Sequence, residues 1–322
     1  MNDVKLLTEQ QAHRLAAFQN RRVHHSQFQQ ATARIANFHI SGVQACAPGI
    51  TTLVGETGAG KSSVIENFCS TANSGDVRNR VLSIVIPQSC TIKNLASRIL
   101  HALGDPCATR GTLESMEQRI TKIADHASVE MLIFDEFQHL TNKGSQARRY
   151  DSADWLKTQL EVLRRPVLVA GLPEVNEIFL LNPQLATRRR ARIELLPFDP
   201  STKDGAKELL MLFHFMNMEL PLPDAAQSVL LKNDVMLGLA RSCKGLIGSI
   251  TKIIHLAVEI AMLSDSTTLT ELHLKRALEE LEVDIRELDT AAARPPQEAK
   301  RKPRTGRRLS NQQQVEFENG PF

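Results

Sequence analysis

Thr52–Phe68 reads TLVGETGAGKSSVIENF, a β-branched apolar run that breaks into glycines, meets a lysine and then takes up a helical pattern. Gly55, Glu56, Thr57, Gly58, Ala59, Gly60, Lys61 and Ser62 fill the pattern G-x-x-x-x-G-K-[ST], and Ser63 follows in the first helical turn. The chemistry explains the spacing. Glycines let backbone amides close around phosphate oxygens, and the amino end of the helix adds positive potential. The Lys61 ammonium reaches the β- and γ-phosphates, and the Ser62 hydroxyl is placed to hold Mg2+. The ligand expected at residues 55–63 is therefore ATP with magnesium.

Such a loop needs a carboxylate partner at the end of another strand. Met131–Phe137, MLIFDEF, supplies one: Asp135 to hold the magnesium ion through its water shell, and Glu136 to orient or deprotonate the attacking water. Further strand-length apolar runs lie at Ile50–Val54, Val81–Ile86, Val167–Ala170 and Ile193–Leu196, separated by helix-period stretches such as Ile92–Leu103 and Leu113–Ala124. Alternating strands and helices predict an α/β fold, a P-loop NTPase with a five-stranded parallel sheet. Beyond Pro200 the strand signals stop, and Lys203–Met216, Asp224–Leu239, Leu246–Leu263 and Thr270–Leu288 read as amphipathic helices. The expected organisation is a helical extension over 1–37, the ATPase core over 38–200, a helical lid domain over 201–290 and a disordered basic tail over 291–322.

Composition narrows the class. The 322 residues are 42% apolar and 4% aromatic, so an aliphatic core is expected and a stacking platform for single strands is not. Five scattered cysteines (Cys46, Cys69, Cys90, Cys107, Cys243) form no C-x-x-C pair, which fits a reducing compartment and argues against structural zinc. No long apolar segment occurs, and a cytoplasmic location is expected. The formal net charge is +3, yet the tail alone carries seven basic residues (Arg294, Lys300, Arg301, Lys302, Arg304, Arg307, Arg308) against Glu298, Glu316 and Glu318. The body is thus near neutral, and only a localised stripe on it would bind a duplex.

The acidic strand is not the next strand after the P-loop, and a helical domain follows the last strand. This order resembles the AAA+ ATPases, in which helices close over the nucleotide and neighbours in a ring complete one another's sites. The segment NPQLATRRRARIEL, Asn182–Leu195, places Arg188, Arg189, Arg190 and Arg192 between a helix and the last strand, where that family carries an arginine finger. By position the finger is Arg188, with Arg189 and Arg190 as alternatives. Ala170 and Gly171 stand where many AAA+ proteins place a polar sensor residue, and Gly248 about where others offer a second sensor arginine. The resemblance thus implies slow hydrolysis, better suited to a timer than to a motor.

The segments VGETGAGKSS, LIFDEFQHL, VLVAGLPE, QLATRRRARIELLPF and GLIGSITKIIHLAVEIA, in that order, resemble the TniB/TnsC family of transposition regulators across about Phe38 to Leu288. That resemblance implies a homo-oligomer, ring or filament, assembled by ATP on double-stranded DNA with little regard to sequence. It also implies partners of the TniQ or TnsD targeting type and of the TnsA/TnsB transposase type, with hydrolysis controlling assembly and disassembly. DNA contacts on phosphates would come from Lys93, Lys143, Arg148 and Arg149, the last three in a loop after the acidic strand. His139, three residues after Glu136, is read as a structural packing or hydrogen-bonding residue. The competing readings are an AAA+ helicase loader or replication-initiator ATPase, a P-loop metabolic kinase, and a scaffold that binds ATP without hydrolysing it.

Overall fold

The computed structural model describes residues 5–44, 49–74, 80–141 and 146–283, with only the backbone for 146–148. The basic tail at 291–322 and Lys143 lie outside the described residues. In chain order the elements are α1 (Glu9–Gln19), α2 (Ser26–Gln44), β1 (Ile50–Gly55), α3 (Lys61–Ala72), β2 (Val81–Val85), α4 (Ile92–Ala102), α5 (Leu113–His126), β3 (Met131–Asp135), α6 (Gln138–Thr141) and α7 (Gln146–Leu163). There follow β4 (Val167–Gly171), a 3-10 turn (Pro173–Asn176), α8 (Glu177–Leu181), α9 (Pro183–Thr187), β5 (Arg189–Leu195), α10 (Lys203–Met218), α11 (Asn233–Ser242), α12 (Ile247–Leu263) and α13 (Glu271–Glu280).

The five strands form one parallel sheet, as the sequence predicts, and their order is β2-β3-β4-β1-β5. Side chains alternate across it with period two. Leu132 and Phe134 of β3 face the helices α4, α5 and α7, whereas Met131 and Ile133 face α2 and α3. Both faces are covered, so the central strands are buried throughout. Threonines begin several helices: the Thr91, Thr112 and Thr202 hydroxyls accept from the amides of Asn94, Ser115 and Gly205.

Two expectations about element bounds are corrected. The last strand begins at Arg189, four residues before the expected Ile193, because an edge strand bonded only to β1 tolerates solvent-facing arginines that carry no apolar signal. The helix expected over Asp224–Leu239 is broken into two 3-10 turns, Ala225–Gln227 and Val229–Leu231, before α11. Extended Ser228 stops the helix: its hydroxyl accepts from the Leu230 amide, and the Val229 amide donates across to Leu269. Likewise Arg148 and Arg149 fall on α7, whose residues are good helix formers, and not in a loop.

The helical region after Pro200 has its own core around Leu209, Phe213, Ile250, Ile254, Ala257 and Leu274, each burial contributing about 1.5–3 kcal/mol for the larger aliphatic and aromatic side chains. Leu15 and Phe18 of α1 join that core, while Phe28, Ala31 and Ile35 of α2 pack on the sheet. Residues 20–25 therefore cross the cleft between the two, and α2 runs unbroken through residues 37 and 38. Among the described residues no single helix is long and apolar enough to cross a membrane.

Phe198 stands at two joints between the halves. The Phe198 amide donates to the Gly245 carbonyl at 2.9 Å, and Gly245 has φ 71° with its missing Cβ position 2.0 Å from the Phe198 carbonyl oxygen. At the other joint, the buried His25 accepts from the Phe28 amide through Nδ1 at 3.3 Å and stands edge-on to Phe198. Burial pushes the His25 imidazole down to about 4, against the opposing pull of Glu208 and with a smaller push from His24.

Gly245→Ala should lower unfolding stability by about 2 kcal/mol or more, through a left-handed backbone and a backbone clash, as read by urea denaturation without nucleotide. An unchanged midpoint would show that the joint tolerates a side chain. His25 is neutral in the fold and would protonate near its ordinary value once unfolded. Its contribution is therefore intact above about pH 6.5 and is lost as pH falls toward 4, amounting to about 3 kcal/mol at the acid end. His255 and His273 are also pushed down by burial, so the test is a difference: His25→Gln should show a shallower acid slope than the wild type. Equal slopes would remove His25 as a cause.

Candidate functional site

Parallel strands open a crevice beyond their carboxyl ends, and this chain puts its chemistry there. β1 ends at Gly55, whose missing Cβ would lie 2.7 Å from the Leu195 carbonyl oxygen, so a glycine is required where the loop leaves the sheet. Gly58 and Gly60 have φ of 83° and 93°, and α3 starts directly at Lys61. Lys61 is 5% exposed and donates to the carbonyls of Gly55 at 2.8 Å and Glu56 at 3.0 Å. Burial pushes its ammonium below the usual lysine range, with Glu136 and then Asp135 opposing. A lysine held by two carbonyls of the loop, with those carboxylates beside it, is set for an anionic ligand.

β4 lies between β1 and β3, yet the sheet brings β3's end to the P-loop. The Ser62 hydroxyl donates to Asp135 Oδ2 at 2.8 Å, and Asp135 Oδ1 accepts from the Glu136 amide at 2.8 Å. Asp135 is 3% exposed and so is fixed by both its oxygens. Glu136 is half-exposed beside it, with φ 58° in the left-handed region. Gln138 donates from Nε2 to Glu136 Oε2, and His139 Nε2 stands 4.0 Å from the same oxygen. His139 Nδ1 donates to the Ile86 carbonyl at 2.8 Å, an anchoring contact to the end of β2. Lys61, Ser62, Asp135 and Glu136 are therefore brought together as the sequence places them.

The helical region closes the crevice. The Gly248 amide, at the first turn of α12, donates to the Gly58 carbonyl at 2.8 Å. A Cβ on Gly248 would lie 2.7 Å from that oxygen. Behind this contact lies a cavity of about 290 Å3 between the P-loop, α12 and residues 19–25, lined by Gly60, Ser63, Arg22, His25, Ile247 and His255. An Arg22–Glu66 ion pair of 2.8 Å ties the linker to α3. It is the natural place for the nucleoside end of a nucleotide whose phosphates sit on the P-loop. Sequence reading missed Arg22, His25, Ile247 and His255; the run RRVHH at Arg21–His25 was the signal available, a polar and aromatic cluster in an otherwise ordinary helical extension.

The arginines lie elsewhere. β1 and β5 are parallel, with Ile50 opposite Arg189, one register shift before Thr51–Ala191, and Gly55 opposite Leu195, so Arg188 and Arg189 sit at the opposite end of the sheet from the chain's own P-loop, about 16 Å away at ~3.3 Å per residue. Arg188 pairs with Glu161 of α7 at 2.8 Å. Arg189 turns inward, donating to Thr52 Oγ1 at 2.9 Å and Asn176 Oδ1 at 2.5 Å and standing over the Phe179 ring at 4.6 Å. Burial, and secondarily Arg192, push its guanidinium below the usual arginine range. Arg190 is exposed, and Arg192 pairs with Glu194 at 2.8 Å. Of the residues expected on DNA, Lys93 is exposed at the start of α4, Arg149 pairs with Glu177 at 2.8 Å, and the Arg148 side chain and Lys143 lie outside the described residues.

The model of a family described as "Bacterial TniB protein" matches residues 14–197. Among solved structures, the chain is similar to the ORC2 protein of Aeropyrum pernix in its ADP form, with a TM-score of 0.59 at 16% identity over 78% of this chain and 67% of that one. The ORC1 protein of the same organism in complex with DNA gives 0.59 at 17% over 79% and 65%. Drosophila ORC bound to DNA gives 0.53 at 16% over 89% and 68%. The chain spans about two thirds of the length of these proteins, and at such identities the likeness is one of fold. A search of curated proteins found no match. The fold is that of the AAA+ ATPases, and the chain belongs to the TniB family.

Proposed function

We propose that this protein is an ATP-dependent regulator of DNA transposition that assembles on duplex DNA and links a target-selection protein to a transposase. The observation that carries this reading is the separation of the arginine segment from the P-loop. A cation at the far end of the parallel sheet cannot reach its own nucleotide, but it can reach the nucleotide of a neighbouring copy. Arg188 is the proposed finger. Its exposed partner Glu161 is released easily, since a surface ion pair is worth only about 0–1 kcal/mol. Arg189 is committed inward, so exposed Arg190 is the alternative.

Within the site each side chain has a task. Lys61 leaves the Gly55 and Glu56 carbonyls to meet the β- and γ-phosphates, and amides 57–62 close around their oxygens. Glu136 orients and deprotonates the attacking water. The Ser62 hydroxyl and Asp135 carboxylate, hard oxygens side by side, fit a magnesium ion and would hold it, Asp135 through water. When bound, that ion neutralises charge on the phosphates. Arg188 of one copy meets charge that develops on the next copy's γ-phosphate only in the transition state.

DNA is held through phosphates by a local stripe that includes Lys93, with Lys143, Arg148 and Arg149 as further contributors; for Arg149 the bond to Glu177 must open first. The partners are of the TniQ/TnsD type and the TnsA/TnsB type, and the basic tail at 291–322 helps to recruit the transposase. Turnover is slow and serves as an assembly switch in the cytoplasm.

Electron microscopy of the purified protein with duplex DNA, with and without ATP or a nonhydrolysable analogue, tests this directly. Nucleotide-dependent rings or filaments on DNA are expected; dispersed particles in every condition would overturn the reading and favour a helicase-loading or metabolic role. Lys61→Ala should lose nucleotide affinity and assembly together, and Glu136→Gln should keep assembly but block turnover. Arg188→Ala should reduce turnover about 10³-fold while leaving nucleotide binding to isolated subunits within about twofold. Normal turnover in Arg188→Ala with loss in Arg190→Ala would move the finger by two residues.

A further inference from the structure

We propose that Gln138 is a positioning residue for Glu136: its carboxamide holds the glutamate in place and ties it to the exit of β4. This rests on the reading above, in which Glu136 handles the attacking water. Gln138 is 4% exposed and has two partners of opposite kind. Its Nε2 donates to Glu136 Oε2, and its Oε1 accepts from the Leu172 amide at 3.1 Å. Only a side chain with both a donor and an acceptor makes this bridge; a carboxylate lacks the first and an ammonium the second. The orientation of the amide is also fixed, because Leu172 N–H can only donate and an ionised Glu136 can only accept.

The neighbouring glycine shows that the space is reserved for that amide. A Cβ on Gly171 would stand 2.3 Å from Gln138 Oε1 and 2.8 Å from Val175 Cγ2. The end of β4 therefore has no room for a polar side chain of its own, and a carboxamide arrives there from α6 instead. Glu136 needs such support. It is a non-glycine residue at φ 58°, fixed at its amide by Asp135 and followed by a Phe137 amide that donates to the Ala170 carbonyl at 2.9 Å. Only Gln138 directs a hydrogen bond to its carboxylate among the described residues, since His139 stands at 4.0 Å and is engaged with Ile86.

The same bridge reaches further. Leu172 opens the turn Pro173–Asn176, whose last residue accepts from Arg189, next to the proposed finger. One short turn is thus held at its start by the residue that holds Glu136 and at its end by the arginine segment.

The test is steady-state ATP turnover on duplex DNA by the full chain as wild type, Gln138→Ala and Gln138→Glu, with nucleotide Kd, assembly on DNA and thermal stability measured alongside. Gln138→Glu keeps the volume and the acceptor for Leu172 but sets a second carboxylate against Glu136 in place of the donor, so it perturbs the Glu136 end of the bridge even where Gln138→Ala fails to fold. We expect kcat to fall about tenfold or more in both folded variants, with nucleotide Kd and DNA assembly within about twofold of wild type, a split that a merely structural loss would not produce. A folded Gln138→Glu whose kcat equals or exceeds that of wild type overturns the inference, as does a loss that appears in Kd instead of kcat. If the wild type itself hydrolyses no ATP, with or without DNA, the functional reading fails and the inference with it.

Discussion

The 2.8 Å hydrogen bond from the Gly248 amide to the Gly58 carbonyl joins the two halves of the molecule at the loop that must also close around phosphate. It demands a glycine on each side. Gly58 is left-handed, and Gly248 has a backbone oxygen where its Cβ would be. From this contact the rest of the cleft follows. α12 cannot withdraw without uncovering the P-loop, and residues 19–25 must bridge from α1 on the helical core to α2 on the sheet. The cavity of about 290 Å3 is what remains between them. Any ligand that separates Gly58 from Gly248, or draws them closer, is felt at once in the packing of the helical region.

The parts legible in the sequence are those in which local chemistry and position coincide. Gly55–Ser62 and Met131–Glu136 state their chemistry in residue type and place it by the strand before each, and the Ser62–Asp135 bond shows the two meeting. The buried strands were readable because covering both faces of a parallel sheet leaves continuous apolar runs. Arg189–Arg192 were not readable as strand, because an edge residue needs only backbone partners and advertises nothing through its side chain. The break at Ser228 was hidden for a related reason: apolar spacing persists through the two 3-10 turns, so the helical pattern continues where the backbone does not. The cavity beside the P-loop escaped because its walls come from residues more than two hundred positions apart, a juxtaposition that only the fold creates.

Charge follows the same division. The body is near neutral, and many of its arginines are already answered: Arg22 by Glu66, Arg149 by Glu177, Arg188 by Glu161 and Arg192 by Glu194. These are exposed pairs, held by about 0–1 kcal/mol each, so a competing anion such as a phosphate can displace the carboxylate. Arg189 differs in kind. Two hydrogen bonds and an aromatic face hold it, one of them to Thr52 in the middle of β1, so it fastens the edge strand and the turn after β4 to the strand that leads into the P-loop.

That arrangement changes the meaning of the two glycines which, by family resemblance, stood in for missing sensors. At Gly171 and at Gly248 alike a side chain has no space. At Gly171 the volume is taken by the Gln138 carboxamide, and at Gly248 by the Gly58 carbonyl. A backbone amide cannot swing away from its helix, and a doubly bonded carboxamide cannot turn without breaking both its bonds. A change at either of these two contacts therefore has to move a whole element, the first turn of α12 or the Pro173–Asn176 turn. Movements of that size belong to the microsecond-to-millisecond range, slower than the rotamer flips of exposed side chains.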